Sequence, residues 1–366
     1  MGLVPDHIKS LKPYVAGKSK KEFKRKFKHI DPIKLASNEN SLGCSPKSTQ
    51  RVRKYIDNCN RYPDSSGYEL RNKLAEMHEL SIDNVIIGSG SEGIMSNIMR
   101  TFLHGNDKII SSMNSFIGFR VLADASGYST SWVPMDNYHY NLKAIADKID
   151  EDTKIIYLAN PDNPTGTYFN KKEFDSFMER VPNRVLIILD EAYYEYALDL
   201  NDYPDSMLYR YDNIITLRTF SKVYGLAGFR VGYGFAHKDL IANLMKVKLP
   251  FEPATLSQEA ALAALDDSDF LEKSILSNQQ ERDSMYDFFN EHGVEYIESS
   301  TNFITIYFSN DTINHNIYNK LLERGIIVRS LDAFGLPHCM RITIGTELEN
   351  NKFKETFLKV YEGATV

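Results

Sequence analysis

From about Asn84 to Gly234 the chain alternates between two patterns. Short, nearly all-apolar runs, NVIIG, KIISS, KIIYLAN, RVLIILD and NIITLRT, are rich in β-branched residues and too short for buried helices. Between them, SEGIMSNIMRTF, FRVLADASG and KKEFDSFMERV carry apolar residues at helical spacing. Strands that are apolar on both faces, alternating with amphipathic helices, predict an α/β fold: a mostly parallel sheet with helices on both faces. Beyond Gly234 the pattern changes. Helical spacing dominates from Leu240 to His292, and LEKSILSNQQERDSMYDFFNEHG reads as one long amphipathic helix closed by Gly293. Three strand-like runs follow, TNFITIYF, GIIVRS and CMRITIGT, with a helix before the second and another after the third. This predicts a smaller α+β domain.

The expected organisation is an N-terminal segment, residues 1–35, packing with the small domain, a large domain over 36–260 and the small domain over 261–366. Within the first segment, GKSKKEFKRKFKHI sets Phe23, Phe27 and Ile30 at helical spacing among seven Lys or Arg side chains. A basic amphipathic helix can bind a membrane surface or nucleic acid. Three apolar residues suit docking on a protein surface better.

Composition narrows the partners. At 366 residues and 42% hydrophobic content the chain can bury a large core. A formal net charge of -6 provides no basic field for a polyanion, so small molecules are the expected partners and nucleic acid is not. Cys44, Cys59 and Cys339 are too scattered for a disulfide framework or a zinc site. With no apolar signal core at MGLVPDHIK and no run long enough to span a bilayer, a cytoplasmic protein that does not enter membranes is expected, with no metal.

Chemistry concentrates at strand ends. VIIGSGSEGI places Gly88, Gly90 and Gly93 between a strand and a helix, as a dinucleotide fingerprint does, yet the next strand, KIISSMNS, ends without the acidic residue that holds a ribose. What remains is a glycine turn and a helix N-terminus suited to a single phosphate. NPDNPTG, from Asn160 to Gly166, could be an ordinary turn, but it follows a parallel strand where open α/β sheets gather ligand groups. In VLIILDEAYYEY, Asp190 leaves an apolar strand, which is costly unless the carboxylate is paired or hydrogen-bonded. Lys222, in TFSKVYGLAGFRVGYG, has small and apolar neighbours, with Arg230 as the next charge. A desolvated lysine near positive charge has a lowered pKa and forms Schiff bases with carbonyls. An aldehyde-reactive lysine, a buried carboxylate, a phosphate turn and an aromatic such as Phe116 are the set that pyridoxal phosphate requires.

With these motifs the chain resembles the fold-type I aminotransferases that use pyridoxal 5'-phosphate, and among them the histidinol-phosphate aminotransferases. LKPY, IKLASNENSLGCSPK, RYPDSSGYELR, GSGSEGI, NPDNPTG, DEAYYEY, TFSKVYGLAGFRVGYG and MRITIGT run in the family's order over nearly the whole chain. The resemblance implies that Lys222 joins the cofactor and then moves a proton, that Asp190 pairs with its ring nitrogen, and that Tyr193 and Asn160 bond its phenolic oxygen. Gly90, Ser91, Ser221 and Arg230 would hold its phosphate and Phe116 would stack on its ring. Arg341 would bind the substrate carboxylate, with Asn38 nearby, and Tyr14 and Arg329 the phosphate of histidinol phosphate. Tyr62 would reach the neighbouring subunit's site, which implies a homodimer.

The implied reaction converts L-histidinol phosphate and 2-oxoglutarate to imidazole acetol phosphate and glutamate, a step of histidine biosynthesis. Aromatic amino acids are the alternative donors. Decarboxylation of an amino-acid phosphate on the same scaffold and a catalytically idle cofactor-binding protein are further alternatives. The chain departs from the family at Ser41 (usually proline), at Asn114 and Ser115 (usually Pro-Thr) and at Glu92-Gly93 (commonly Asp-Glu). None of these removes a group that transamination needs.

Overall fold

Thirteen strands form in chain order among the residues described by the computed structural model, 2–13, 17–209 and 211–362. They are β1 (Ile33–Lys34), β2 (Val85–Gly88), β3 (Lys108–Ser112), β4 (Ser129–Val133), β5 (Thr153–Ala159), β6 (Leu186–Asp190), β7 (Ile214–Thr219), β8 (Gly232–Phe235), β9 (Tyr296–Ile297), β10 (Phe303–Tyr307), β11 (Ile326–Ile327), β12 (Arg329–Ser330) and β13 (Cys339–Thr343). Seven of them make one sheet in the order β2-β8-β7-β6-β5-β3-β4, in which β8 alone runs against its neighbours. The apolar runs became its centre because alternate residues bury on opposite faces. In β5, Ile155, Tyr157 and Ala159 enter one core and Ile156 and Leu158 the other.

Helices cover both faces. Gly90–Phe102 and Ile117–Ser126 close one, and Lys171–Met178, started by a capping box between Asn170 and Glu173, helps close the other. Two strands of this sheet went unread. β4 carries half-buried Ser and Thr at the sheet edge, and β8 is interrupted by glycine. Those glycines are required: a Cβ on Gly232 would meet the Ser91 nitrogen at 2.5 Å.

The later part of the chain forms an antiparallel sheet, β12-β13-β10-β9, packed under the long helix Ser268–Glu291, which ends before Gly293 at a φ of 62°. The run GIIVRS does not form one strand. Its first half, β11, pairs in parallel with β1, and its second half, β12, pairs with β13, so the chain changes partner at the buried Val328.

Helix Lys20–Lys26, capped by Ser19, buries Phe23 against Ala36, Leu322 and Ile327, with Phe27 and Ile30 beside it. Its apolar face is thus satisfied by the protein itself, and its Lys and Arg side chains face outward. Helix Asp6–Lys9 buries nothing and lies elsewhere, with His7 against Gly127 at the end of Ile117–Ser126. No helix among the described residues is long and apolar enough to cross a membrane.

Candidate active site

The C-terminal ends of β5, β6 and β7 open into a cavity of about 240 Å³ that the four-stranded sheet closes from the other side. Ligands gather at this edge of an open α/β sheet. Among the residues singled out from the sequence, Asn38, Ser91, Phe116, Asp190, Tyr193, Ser221, Lys222, Arg230, Arg329 and Arg341 all line it.

One end is built for an oxyanion. Helix Gly90–Phe102 begins there, and its N-cap, Ser89, makes no side-chain cap. Gly90, at a φ of 74°, leaves room for Arg230, whose Nη2 would lie 2.6 Å from any Cβ placed there. The Arg230 guanidinium reaches the Ser221 hydroxyl at 3.4 Å and Glu92 at 3.1 Å. Thr219 receives the Ser221 N–H at 3.1 Å and donates its hydroxyl to Ser221 Oγ at 3.0 Å. Free N–H groups, a hydroxyl and a guanidinium around a glycine hollow are a donor set for phosphate.

Asp190 ends β6, fully enclosed. Its Oδ2 accepts the Tyr157 hydroxyl at 2.8 Å and its Oδ1 the Ala192 N–H at 3.2 Å. Burial pushes its pKa up to about 6, against these two hydrogen bonds. Phe116 precedes helix Ile117–Ser126, and its ring folds back over Gly118, where a Cβ would meet it at 2.4 Å.

Lys222 sits on the connection between β7 and β8, its Nζ 5.4 Å from the centre of the Tyr193 ring. Burial, then Arg341, brings its pKa down to about 8. The Tyr193 hydroxyl accepts the Asn38 side-chain N–H at 2.8 Å, and burial pushes it up to about 12. Asn38, at a φ of 54°, is anchored to Thr343 of β13 through its own N–H at 2.9 Å and its side-chain oxygen at 3.1 Å. This one residue therefore ties the small sheet to the Tyr193 turn.

Arg329 and Arg341 are direct partners in the β12–β13 ladder and are both buried. Arg341 donates to Asn163 Oδ1 and to the Ala36 carbonyl at 3.1 Å, over the Phe303 ring. Both guanidinium groups lie 5.9 Å from the Phe334 ring centre.

One expected site residue is placed differently. Asn160 does not line the cavity: its amide is spent on the backbone of Phe169, accepting at 2.9 Å and donating at 3.2 Å. Asn163, three positions on in the same motif, lines the wall instead. Tyr62 is away from the cavity, 79% exposed and stacked on Phe251 at 4.2 Å. Tyr14 lies outside the described residues. Sequence reasoning also missed Tyr157, Thr219, Glu92 and Phe334 on the wall. Tyr157 left one signal, a hydroxyl in an apolar strand two residues before its end. Among the described residues no group of His, Cys, Asp and Glu is arranged to hold a metal ion.

A seven-stranded sheet with a lysine, a carboxylate and an oxyanion hollow at its C-terminal edge defines the fold-type I pyridoxal-phosphate enzymes. The chain belongs to the aminotransferase class I and II family, whose model it matches over residues 30–357. It is 42% identical to the histidinol-phosphate aminotransferase of Geobacillus sp. (strain WCH70) over 95% of both chains. It is 40% identical to that of Anoxybacillus flavithermus (strain DSM 21510 / WK1), covering 95% of this chain and 93% of the relative. A crystal structure of histidinol-phosphate aminotransferase from Sinorhizobium meliloti in complex with pyridoxal-5'-phosphate superposes with a TM-score of 0.91 at 26% identity, covering 99% of this chain and 98% of that one. An aspartate aminotransferase from Thermus thermophilus shares the fold, with a TM-score of 0.83 at 18% identity over 98% of this chain and all (100%) of that one.

Proposed function

We propose that this chain is a pyridoxal-phosphate-dependent aminotransferase that exchanges an amino group between L-histidinol phosphate and 2-oxoglutarate, in histidine biosynthesis and in the cytoplasm. The observation that carries the donor assignment is the Arg329–Arg341 pair in the wall of the lysine-bearing cavity. Two buried guanidinium groups side by side suit a phosphate dianion or a dicarboxylate better than a neutral side chain.

When bound, pyridoxal phosphate supplies an aldehyde that takes up the amino group and a ring that withdraws electrons from the donor's Cα. Ser91, Ser221, Arg230 and the turn at Gly90 hold the phosphate in this reading. Asp190 pairs with the ring nitrogen, Phe116 covers a ring face, and Tyr193 with Asn163 bonds the phenolic oxygen. The Lys222 amine would hold the cofactor through its aldehyde carbon, with loss of water, and would carry the proton at the donor's Cα. Its lowered pKa keeps a usable fraction neutral near pH 8. Arg341 takes the α-carboxylate of glutamate, and Arg329 the γ-carboxylate. With histidinol phosphate, which has no carboxylate, both face the phosphate.

The large part, 36–260, and the small part, 261–366, then meet over the substrate. Tyr62, with Phe251, lies on a face that pairs with a second copy, so that the working form is a homodimer. Phe334 and Ile117 in the same wall favour a second reading, an aromatic amino-acid donor. A coupled glutamate-forming assay with 2-oxoglutarate and a panel of phosphorylated and unphosphorylated amines separates the two. Histidinol phosphate should be the best donor. Preference for phenylalanine or tyrosine overturns the assignment, and release of carbon dioxide from an amino-acid phosphate would point to decarboxylation.

A further inference from the structure

We propose that Tyr157 is a positioning residue: its hydroxyl keeps the Asp190 carboxylate ionised and aimed into the cavity, so that the carboxylate can hold a positively charged ring nitrogen. The inference rests on the reading of Asp190 given above and adds a residue that the sequence motifs do not contain.

The geometry comes from the sheet. Ala159 of β5 is the ladder partner of Asp190 of β6, so Tyr157, two residues before Ala159, projects on the same face as a diagonal neighbour of Asp190. Its ring is wholly buried and stacks on Phe119 with centres 3.9 Å apart and planes at 10°. Sheet and stack together fix the hydroxyl where it donates to Asp190 Oδ2 at 2.8 Å. The other oxygen, Oδ1, accepts the longer Ala192 N–H bond at 3.2 Å and keeps acceptor capacity, and Asp190 lines the cavity.

Other groups around Asp190 do not duplicate this donor. Tyr140 spends its hydroxyl hydrogen on Ser115 at 2.6 Å while accepting the Ala159 N–H. The Tyr193 hydroxyl accepts from Asn38, and among the described residues the hydrogen bonds to the Asp190 carboxylate come from Tyr157 and the Ala192 N–H. Lys222 from the β7–β8 connection favours the anion through its charge, and Glu92 from helix Gly90–Phe102 opposes it. Burial favours the neutral acid, and the Tyr157 hydrogen bond is the largest influence against it. Burial also holds the Tyr157 phenol well above the ordinary tyrosine range, so it remains a donor throughout the working pH.

The test uses the full-length chain with ¹³C-labelled aspartate carboxyls, the Asp190 resonance being assigned by its loss in Asp190→Asn. In the cofactor-free protein, Tyr157→Phe should move the Asp190 midpoint up by about one pH unit or more, the size expected for a lost hydrogen bond to a charged group. Pyridoxal phosphate should then bind the variant roughly tenfold more weakly at pH 6, with the gap closing toward pH 8.5, where Asp190 is ionised in both. Phe119→Leu, which keeps the hydroxyl and removes only the stack that helps fix it, should raise the midpoint by less than Tyr157→Phe does. Installing 3-fluorotyrosine at position 157 strengthens the donor without changing its shape, so the midpoint should fall; this arm stands even if Tyr157→Phe does not fold. An unmoved midpoint in the fluorinated protein overturns the role of Tyr157. Wild-type cofactor affinity in Asp190→Ala would instead strike the reading of the site itself, while the midpoints would still report the coupling between the two residues.

Discussion

Arg329 and Arg341 face each other across the β12–β13 ladder, leave the sheet on the same side and line the cavity that contains Lys222. Like charges directly opposite in a ladder are destabilising, and an anion between them reverses that sign. Arg341 is held by Asn163 and the Ala36 carbonyl, so its guanidinium is fixed before a donor arrives.

Removing one member of the pair should therefore affect donors according to their charge. Arg329→Ala leaves a phosphate dianion poorly compensated, a loss of about 2 to 5 kcal/mol. At about 1.4 kcal/mol per factor of ten, kcat/KM for histidinol phosphate should fall roughly 30-fold to several thousand-fold. Glutamate should lose less. Arg329→Lys, which keeps the charge but not the fork, should recover part of the loss. Steady-state kinetics with both donors checks this.

Lys222 should react with carbonyls at lower pH than an ordinary lysine. Its pKa is lowered to about 8, so the neutral amine increases as pH rises through 8, where an exposed lysine is still protonated. Borohydride trapping of pyridoxal phosphate, followed by peptide mass mapping, should place the label on Lys222 with a midpoint near pH 8. Burial is the main cause and Arg341 the next, so Arg341→Ala should move that midpoint upward. In Lys222→Ala the visible band of the lysine-bound cofactor should vanish together with activity.

The two asparagines of NPDNPTG should separate by kind of defect. Asn160→Ala removes both bonds to the Phe169 backbone in a buried setting and should cost about 1 to 3 kcal/mol of stability. Asn163→Ala releases Arg341 and should raise KM for donors with a smaller effect on thermal unfolding. Thermal melts and kinetics on both variants distinguish them.

If Tyr62 serves the neighbouring subunit, Tyr62→Phe and Lys222→Ala chains should complement each other. A mixed dimer would contain one site with both defects and one with neither. Recovery of activity on mixing and refolding is expected. Mixed dimers without recovery would remove Tyr62 from the site.

The strands β2, β3, β5, β6 and β7 were legible because residues buried on both faces leave an unbroken apolar run. β8 was hidden because its glycines serve the close approach of Ser91, and packing of that kind leaves no hydropathic trace. Lys222, Asp190 and Arg230 could be read because a charge among apolar residues must have a reason to be there. The choice between Asn160 and Asn163 could not, since both lie in one turn and only the turn's path decides which amide faces inward. Tyr157 was hidden for a related reason: the strand pattern identifies its face, and only the β5–β6 register puts its hydroxyl on Asp190. The departure at Asn114 also acquires a partner, the Phe334 carbonyl at 2.8 Å, which joins the loop before Phe116 to the turn beside the two arginines.

The most direct test of the central claim is the single-turnover rate of amino transfer to the bound cofactor, measured for histidinol phosphate, glutamate and phenylalanine on wild type and Arg329→Ala. Wild type should react fastest with histidinol phosphate. Arg329→Ala should lose most of that rate, part of the glutamate rate and almost none of the phenylalanine rate. A wild type that prefers phenylalanine, with a variant that treats all three donors alike, would contradict the assignment and leave an aromatic aminotransferase in its place.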